Sequence, residues 1–310
     1  MLEQKNKRLA ILLVVLMAAT VATAFWIVPD DTSFVVDKDL FHQADLKTVD
    51  GVILTSPTGT VTLALDGGRW KVNGQYAADR NMIEVLFATL QGVVPRRPVS
   101  ESLNDSVAVA LEKSGVEVVL QSGGQPVQKF FAGGNAGRSQ AIFKRAADNT
   151  AYVMVIPGYR VYASGIFELP ESGWRDKYVF GFNWRNFKSL QASFPDVRND
   201  FTISMREDFL GVEGIQKTDT ARLNTFLDEV SLLTATEYVK ADSFPRVFAT
   251  HVPVMALTVD DIAGRRYSLK LFGLSPGKQF VGLVNDTDWA VFDADRIRAI
   301  LRPKGFFAGK

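Results

Sequence analysis

The chain has 310 residues, of which 47% are apolar, and 35 basic and 34 acidic side chains leave a net charge of +1. This apolar content is enough for two hydrophobic cores of ordinary size, which argues against a disordered chain. Charges of both signs are interspersed, whereas nucleic-acid-binding proteins concentrate basic residues on one face, so we expect no nucleic-acid partner. The chain contains no cysteine, which excludes disulfides, thiolate nucleophiles, thiolate metal ligands and attachment of lipid to cysteine.

An uncharged apolar run extends from Leu9 to Val28 near the amino terminus. As a helix rising about 1.5 Å per residue it spans roughly 30 Å, the thickness of a bilayer core. Basic residues precede the run and Pro29 with two aspartates follows it, so the positive-inside rule places residues 1–8 in the cytoplasm and the rest outside. We predict a single-pass protein of the cytoplasmic membrane with a transmembrane helix at 9–28. Cleavage of a signal peptide after Ala24 is the alternative.

The rest of the chain contains an internal duplication with an offset of 140 residues. A turn at Gly74, preceded by Trp70, and an aspartate at position 79 are matched in the second half by Gly214 and Asp219. Each aspartate can cap a helix with apolar residues at i, i+3, i+4, i+7 and i+10. The two stripes are Ile83, Leu86, Phe87, Leu90 and Val93, and Leu223, Phe226, Leu227, Val230 and Leu233.

Strands surround each helix, because apolar side chains alternate in segments such as Val116, Val118 and Leu120, with turn residues between the segments. Beyond the helix the offset of 140 matches Phe131 with Leu271. After a long loop and a shorter turn, an offset of 137 matches Phe143 and Tyr152 with Phe280 and Trp289. We therefore predict an α+β fold with two tandem copies of a mostly antiparallel sheet, each with one packed helix.

The predicted organisation after the membrane segment has five parts. These are a linker at 29–48, a first copy at 49–166, an aromatic-rich connector at 167–190, a second copy at 191–303 and a tail at 304–310. The connector has two interpretations. It is either an exposed aromatic patch that binds a partner or the membrane, with Trp174, Arg175, Asp176 and Trp184 as its possible interaction surface, or a buried hinge between the copies. We favour the hinge, since such an exposed patch would promote aggregation.

The chain resembles an uncharacterised bacterial family that carries only a domain-of-unknown-function label. The resemblance rests on the amino-terminal span, the duplicated units with Trp70, Gly74 and Asp79, and Trp174-Arg175-Asp176-Lys177, which is similar to the family's Arg-Asp-Lys element. Leu210 departs from the pattern at the position of Trp70. The resemblance implies an accessory role in the cell envelope, because members are often encoded beside ABC-type permeases and gliding-motility-like auxiliary proteins. It implies no catalytic residue.

A search for catalytic motifs favours a protein that is not an enzyme and holds no cofactor or metal. The two histidines, His42 and His251, do not occupy matching positions, and the glycine-rich segment 133–139 has Arg138 where a phosphate loop has lysine. We expect a non-catalytic interaction or accessory module of an envelope complex, associated with an ABC-type transporter. The alternatives are an envelope sensor of a ligand or lipid, and a hydrolase built from Asp260, Asp261 and His251.

Overall fold

The computed structural model of the chain describes residues 36–42, 45–206, 209–239, 251–274 and 279–309, together with positions 13, 16, 17 and 20. In these described ranges, no helix has both the length and the apolar character needed to cross a bilayer. The tail at 1–8 and most of the predicted transmembrane segment, including Leu9 and Val28, lie outside the described residues. The single-pass topology stays a prediction.

Nine strands of the described chain form a first antiparallel sheet. They are β1 (Gly51–Ser56), β2 (Gly59–Asp66), β3 (Arg69–Val72), β4 (Tyr76–Ala77), β5 (Val94–Pro98), β6 (Val116–Ser122), β7 (Gln125–Gly134), β8 (Ala141–Arg145) and β9 (Ala151–Val155). Their order across the sheet is β4-β3-β2-β1-β6-β7-β8-β9-β5. Strand β5 thus lies at the far edge of the sheet, beside β9.

Eight further strands of the described chain form a second antiparallel sheet. They are β10 (Phe187–Ser193), β11 (Phe201–Arg206), β12 (Phe209–Val212), β13 (Glu237–Val239), β14 (Met255–Asp261), β15 (Arg266–Leu274), β16 (Phe280–Val284) and β17 (Asp288–Phe292). Their order is β12-β11-β10-β14-β15-β16-β17-β13. Apart from β4, this is the order of the first sheet, strand for strand. The α+β class is confirmed, and the shared topology supports the internal repeat.

Helices pack on these sheets or close the copies. In the described chain they are α1 (Arg80–Gly92), α2 (Glu101–Ser114), α3 (Glu171–Trp174), α4 (Thr220–Ser231) and α5 (Ala294–Ile300). The Asp79 carboxylate caps α1 by accepting N–H bonds from Asn81 and Met82, and the Asp219 carboxylate caps α4 by accepting one from Arg222. Both apolar stripes lie in the cores, where each buried side chain contributes about 1.5–3 kcal/mol before ordering entropy is subtracted.

The repeat offset changes by one residue between β5 and β6. Leu63 and Ile203 hold equivalent positions at an offset of 140, but Val118 and Leu257 are equivalent at 139. The expected match of Phe131 with Leu271 is therefore wrong, because Leu271 lies in the main core and Phe131 packs on the other face of its sheet. A shift of one residue moves a strand side chain to the opposite face.

The matches expected at an offset of 137 are also wrong. Tyr152 packs against the main core of the first copy, whereas Trp289 packs with Phe272 in a separate cluster on the opposite face of the second sheet. Sheet pairing also makes Gly282, not Phe280, the counterpart of Phe143. The loop expected after α1 also contains a helix, α2. Its Leu111 packs on the outer face of the first sheet against Ile142 on β8 and Ala151 on β9.

In each copy, a segment that follows the last strand of the sheet packs back against the residue that caps the helix. The Asp79 N–H donates to the Trp174 carbonyl at 2.8 Å, and the Asp219 N–H donates to the Phe307 carbonyl at 2.9 Å. Trp174 and Phe307 are fully buried. Residues expected in the connector and in a carboxy-terminal tail thus complete the two cores. Phe41, expected in the linker, is likewise buried in the first core.

Candidate functional site

The connector joins the copies by backbone hydrogen bonds on both of its sides. Toward the first copy, the Asp176 N–H donates to the Ala77 carbonyl at 2.8 Å. Toward the second copy, the Val179 N–H donates to the Leu233 carbonyl at 3.0 Å. Residues 175–179 therefore link the start of α1 to the end of α4.

The aromatic side chains of the connector divide between the two cores. Phe167 and Trp174 are buried in the first core, and Phe180 is buried in the second. Trp184 is 51% exposed and donates its indole N–H to the Asp228 carboxylate at 2.9 Å. The burial of most of these rings agrees with a hinge that joins the copies, and Trp174 is not available as a surface contact.

Arg175 lies at the junction of the copies, between two aromatic rings. Its guanidinium carbon is 3.5 Å from the ring centroid of Tyr76 in the first copy and 3.9 Å from that of Tyr238 in the second. Its Nη2 is 3.0 Å from Oδ1 of Asp288, and the Arg175 side chain is 10% exposed. Cation–π contacts strengthen when the cation is removed from water, and the carboxylate compensates the buried charge.

Each partner of Arg175 comes from a different element. Tyr76 lies on β4, which has no counterpart strand among the described residues of the second copy. Tyr238 lies on the edge strand β13, and Asp288 begins β17. The Thr287 hydroxyl donates to Oδ2 of Asp288 at 3.0 Å, which holds the carboxylate in place. The Arg175 cluster, meaning Arg175 with Tyr76, Tyr238 and Asp288, thus depends on both copies and on the connector.

A cleft of about 660 Å³ opens beside the Arg175 cluster. Its walls are the β1–β2 hairpin and residues 167–172 on one side, and β13 with the turn before β17 on the other. Hydroxyl groups line much of it, from Ser56, Thr58, Thr60, Ser172 and Thr287. The two copies therefore form one composite concave surface.

Two glutamates line the same cleft, and both have partners. Glu168 accepts a hydrogen bond from the Tyr162 hydroxyl at 2.5 Å and lies 3.3 Å from Arg138. Glu171 accepts one from the Asn73 amide at 2.5 Å. Burial, together with the Glu168 carboxylate, raises the pKa of Tyr162. A second cavity of about 600 Å³, also lined by Glu168, continues the cleft toward the β7–β8 hairpin.

The electrostatics of the Arg175 cluster favour neutral aromatic rings around a cation. Burial raises the pKa of Tyr238 to about 12, with opposing contributions from Arg175 and Asp288. Burial also raises the pKa of Tyr76. Both phenols therefore stay protonated at neutral pH. Beside them, burial raises the pKa of the Asp176 carboxyl.

The repeat signature residues shape the fold. Trp70 packs on Phe87 with ring centroids 5.5 Å apart, which joins β3 to α1. Gly74 and Gly214 follow equivalent strands with φ near +70° and +74°, a conformation that favours glycine. With the capping aspartates, these residues position the helices and leave the cleft to other side chains.

The residues considered for catalysis have structural roles or lie apart from the cleft. Asp260 pairs with Arg266 at 2.8 Å, and the bond from that guanidinium holds the pKa of Asp260 below its ordinary value. Asp261 is buried and pairs with Arg265 at 2.6 Å. The segment 133–139 covers the end of β7 and the hairpin turn that leads to β8. Among the described residues, no three His, Asp or Glu side chains are grouped so as to hold a metal ion.

Sequence reasoning identified Arg175 and Asp176 but missed Tyr76, Tyr238 and Asp288. No repeat signal marks these three residues, since the position of Tyr76 corresponds to Gln216 at the offset of 140. Their contact with Arg175 joins segments far apart in the chain. The only local feature that could have drawn attention to Tyr76 was its place three residues before the capping Asp79.

Comparison with known proteins returned one family. No curated protein and no solved structure matches the chain. Residues 70–247 match a family described as "Domain of unknown function (DUF4340)". The match covers more than half of the chain and includes the connector, Tyr76, Arg175 and Tyr238. The chain therefore belongs to the DUF4340 family.

Proposed function

We propose that the chain is a non-catalytic interaction module of a bacterial envelope complex, which binds its partner through the cleft between the two copies. The observation that carries the proposal is the Arg175 cluster. Both copies and the connector contribute to it, because the second copy supplies the Asp288 carboxylate that compensates the buried charge and each copy supplies one aromatic ring. This arrangement supports a fixed relative position of the copies and a preformed composite surface.

The location and the partner class come from the sequence. The apolar run at 9–28 favours a single-pass protein of the cytoplasmic membrane with both copies outside the cytoplasm. The family resemblance favours an ABC-type permease and its auxiliary subunit as partners. Membrane retention after a carbonate wash tests the anchor, and release of a soluble form beginning at Phe25 would contradict it.

Site-specific photo-crosslinking in the native cells tests the proposed surface. A photoreactive residue at Thr58 or Thr287 places the probe in the cleft, and one at Thr225 on the exposed side of α4 is the control. We expect covalent adducts with an envelope protein from the cleft positions and not from the control. Adducts from the control alone, or none from either cleft position, would contradict the proposal.

A second candidate function is an envelope sensor that binds a small ligand in the cleft. The cleft volume favours it, because ligand sites commonly measure about 300–1,000 Å³. Native mass spectrometry of the purified full chain tests this candidate. A mass increment that disappears when Thr58 and Thr287 are both replaced by a large residue such as tryptophan supports it, whereas a chain of unmodified mass supports the protein partner.

A further inference from the structure

The edge strand β5 of the first sheet carries exposed arginines and cannot accept a further strand in the usual way. In the described part of the chain it pairs with β9 alone. Arg96 and Arg97 are exposed on it, and Pro95 and Pro98 flank them. Proline lacks an N–H donor, so its presence in an edge strand prevents complete pairing with another strand.

The second copy shows which backbone hydrogen bond a proline excludes at this position. There, the Ala235 N–H donates to the Lys177 carbonyl at 2.8 Å and so holds the connector. Ala235 corresponds to Pro95 at the offset of 140, and Pro95 has no hydrogen to donate. Backbone docking of the kind that joins the copies is therefore blocked at β5. The side chains remain as its binding groups.

A third arginine and two exposed apolar side chains lie at the same edge. Val94 on β5 opposes Val155 on β9, so the loop after β9 leaves the sheet at the start of β5. That loop carries Arg160, with Tyr159 70% exposed and Val161 54% exposed. Arg96, Arg97 and Arg160 form no ion pair with any residue in the described ranges. These five residues, Arg96, Arg97, Tyr159, Arg160 and Val161, constitute the basic edge.

The amino-terminal segment enters the first copy over β7, β8 and β9, and β9 is the strand that pairs with β5. Phe41 is buried, and its ring centroid is 5.9 Å from that of Tyr152 on β9. Tyr152 directly opposes Pro98 on β5. Residues 29–35, which separate the apolar run from the described chain, reach at most about 25 Å when fully extended. An anchor at 9–28 would thus hold this side of the first copy near the bilayer.

We propose that the basic edge binds the headgroups of anionic phospholipids in the membrane that holds the anchor. Three uncompensated guanidinium groups match the charge of such a surface, and tyrosine favours the headgroup region. Each arginine near an anionic surface shifts the ratio of docked to undocked protein by about fivefold. The inference uses the predicted anchor and makes no use of the cleft, so the two proposals fail independently.

Fluorescence energy transfer in the reconstituted full chain tests the proposal. The chain has no native cysteine, so Glu101→Cys, three residues beyond β5, provides a single labelling site, and Glu213→Cys in the second copy provides a control site. The acceptor is a labelled lipid, and the vesicles contain phosphatidylcholine alone or with phosphatidylglycerol. We expect phosphatidylglycerol to increase transfer at position 101 much more than at position 213, and high salt to abolish the increase.

Two matched triple variants separate lipid binding from general charge effects. R96Q/R97Q/R160Q should lose the increase caused by phosphatidylglycerol. R69Q/K113Q/R185Q removes the same charge from exposed positions elsewhere and should keep the increase. An increase that survives in the first variant, or is absent from the unmodified chain, would overturn the proposal and leave the arginines only the role of blocking strand pairing. If the apolar run is cleaved, flotation of the mature chain with the same vesicles gives the same comparison.

Discussion

Replacement of Arg175 by alanine tests whether the Arg175 cluster locks the two copies together. The side chain is 10% exposed and its partner Asp288 is 19% exposed, so the pair is largely removed from water. Removing one member of a buried pair costs about 3–5 kcal/mol, because the other charge is left uncompensated. The two ring contacts, at 3.5 and 3.9 Å, contribute about 0.5–2 kcal/mol each.

These contributions overlap, since all of them vanish with one side chain. We therefore expect Arg175→Ala to lower the free energy of unfolding by about 3–5 kcal/mol. Denaturant unfolding of the purified full chain measures it, and a double-mutant cycle with Asp288→Ala isolates the pair. The control is Arg198→Ala, whose pair with Asp196 has similar bonds but side chains that are 87% and 43% exposed. It should cost far less than Arg175→Ala, because ion pairs exposed to solvent contribute little to stability.

The reasoning is refuted if Arg175→Ala costs no more than Arg198→Ala. It is also refuted if the cycle with Asp288→Ala shows no coupling, because the two charges would then act independently of each other. If Arg175→Ala makes the two copies unfold in two separate transitions in place of one, this would support the assignment of Arg175 to their junction.

Three further predictions concern the core, a helix cap and the half-buried Asp176 carboxyl. Phe226→Asp places a charge in the second core and should cost more than about 4 kcal/mol, read as loss of folded protein in circular dichroism. Asp79→Ala removes a helix cap and should cost about 1 kcal/mol in denaturant unfolding. Asp176→Asn keeps the acceptor for the Tyr178 N–H at 3.0 Å and should raise the melting temperature at neutral pH.

The sign of the Asp176 effect follows from its raised pKa. The folded state disfavours the charged carboxyl, so the group opposes folding above its folded pKa. This destabilisation fades as the pH falls toward about 3.9, the pKa of an aspartate in the unfolded chain. The variant and the unmodified chain should then have the same melting temperature. A stable Phe226→Asp protein, an Asp79→Ala protein of unchanged stability, or an Asp176→Asn effect that grows on acidification would contradict the respective prediction.

Local patterns were sufficient for much of the fold. The helical stripes and the capping aspartates depend on spacings of a few residues, and both helices lie where the pattern predicts them. The duplication was visible because β2, β3 and the helix repeat without a gap. The offset failed in the later strands, where a one-residue shift reverses which side chains face the core, and apolar residues on both faces hid the shift.

The α+β class and the absence of a recognisable catalytic motif follow from patterns within short windows of the chain. The cleft and the Arg175 cluster do not, because Tyr76, Arg175, Tyr238 and Asp288 meet only after both sheets have formed and the connector has paired with each. An arginine in a sequence carries the same charge whether it is solvated or enclosed. Its environment depends on side chains distant in the chain, and these set the cost of its burial and the surface around it.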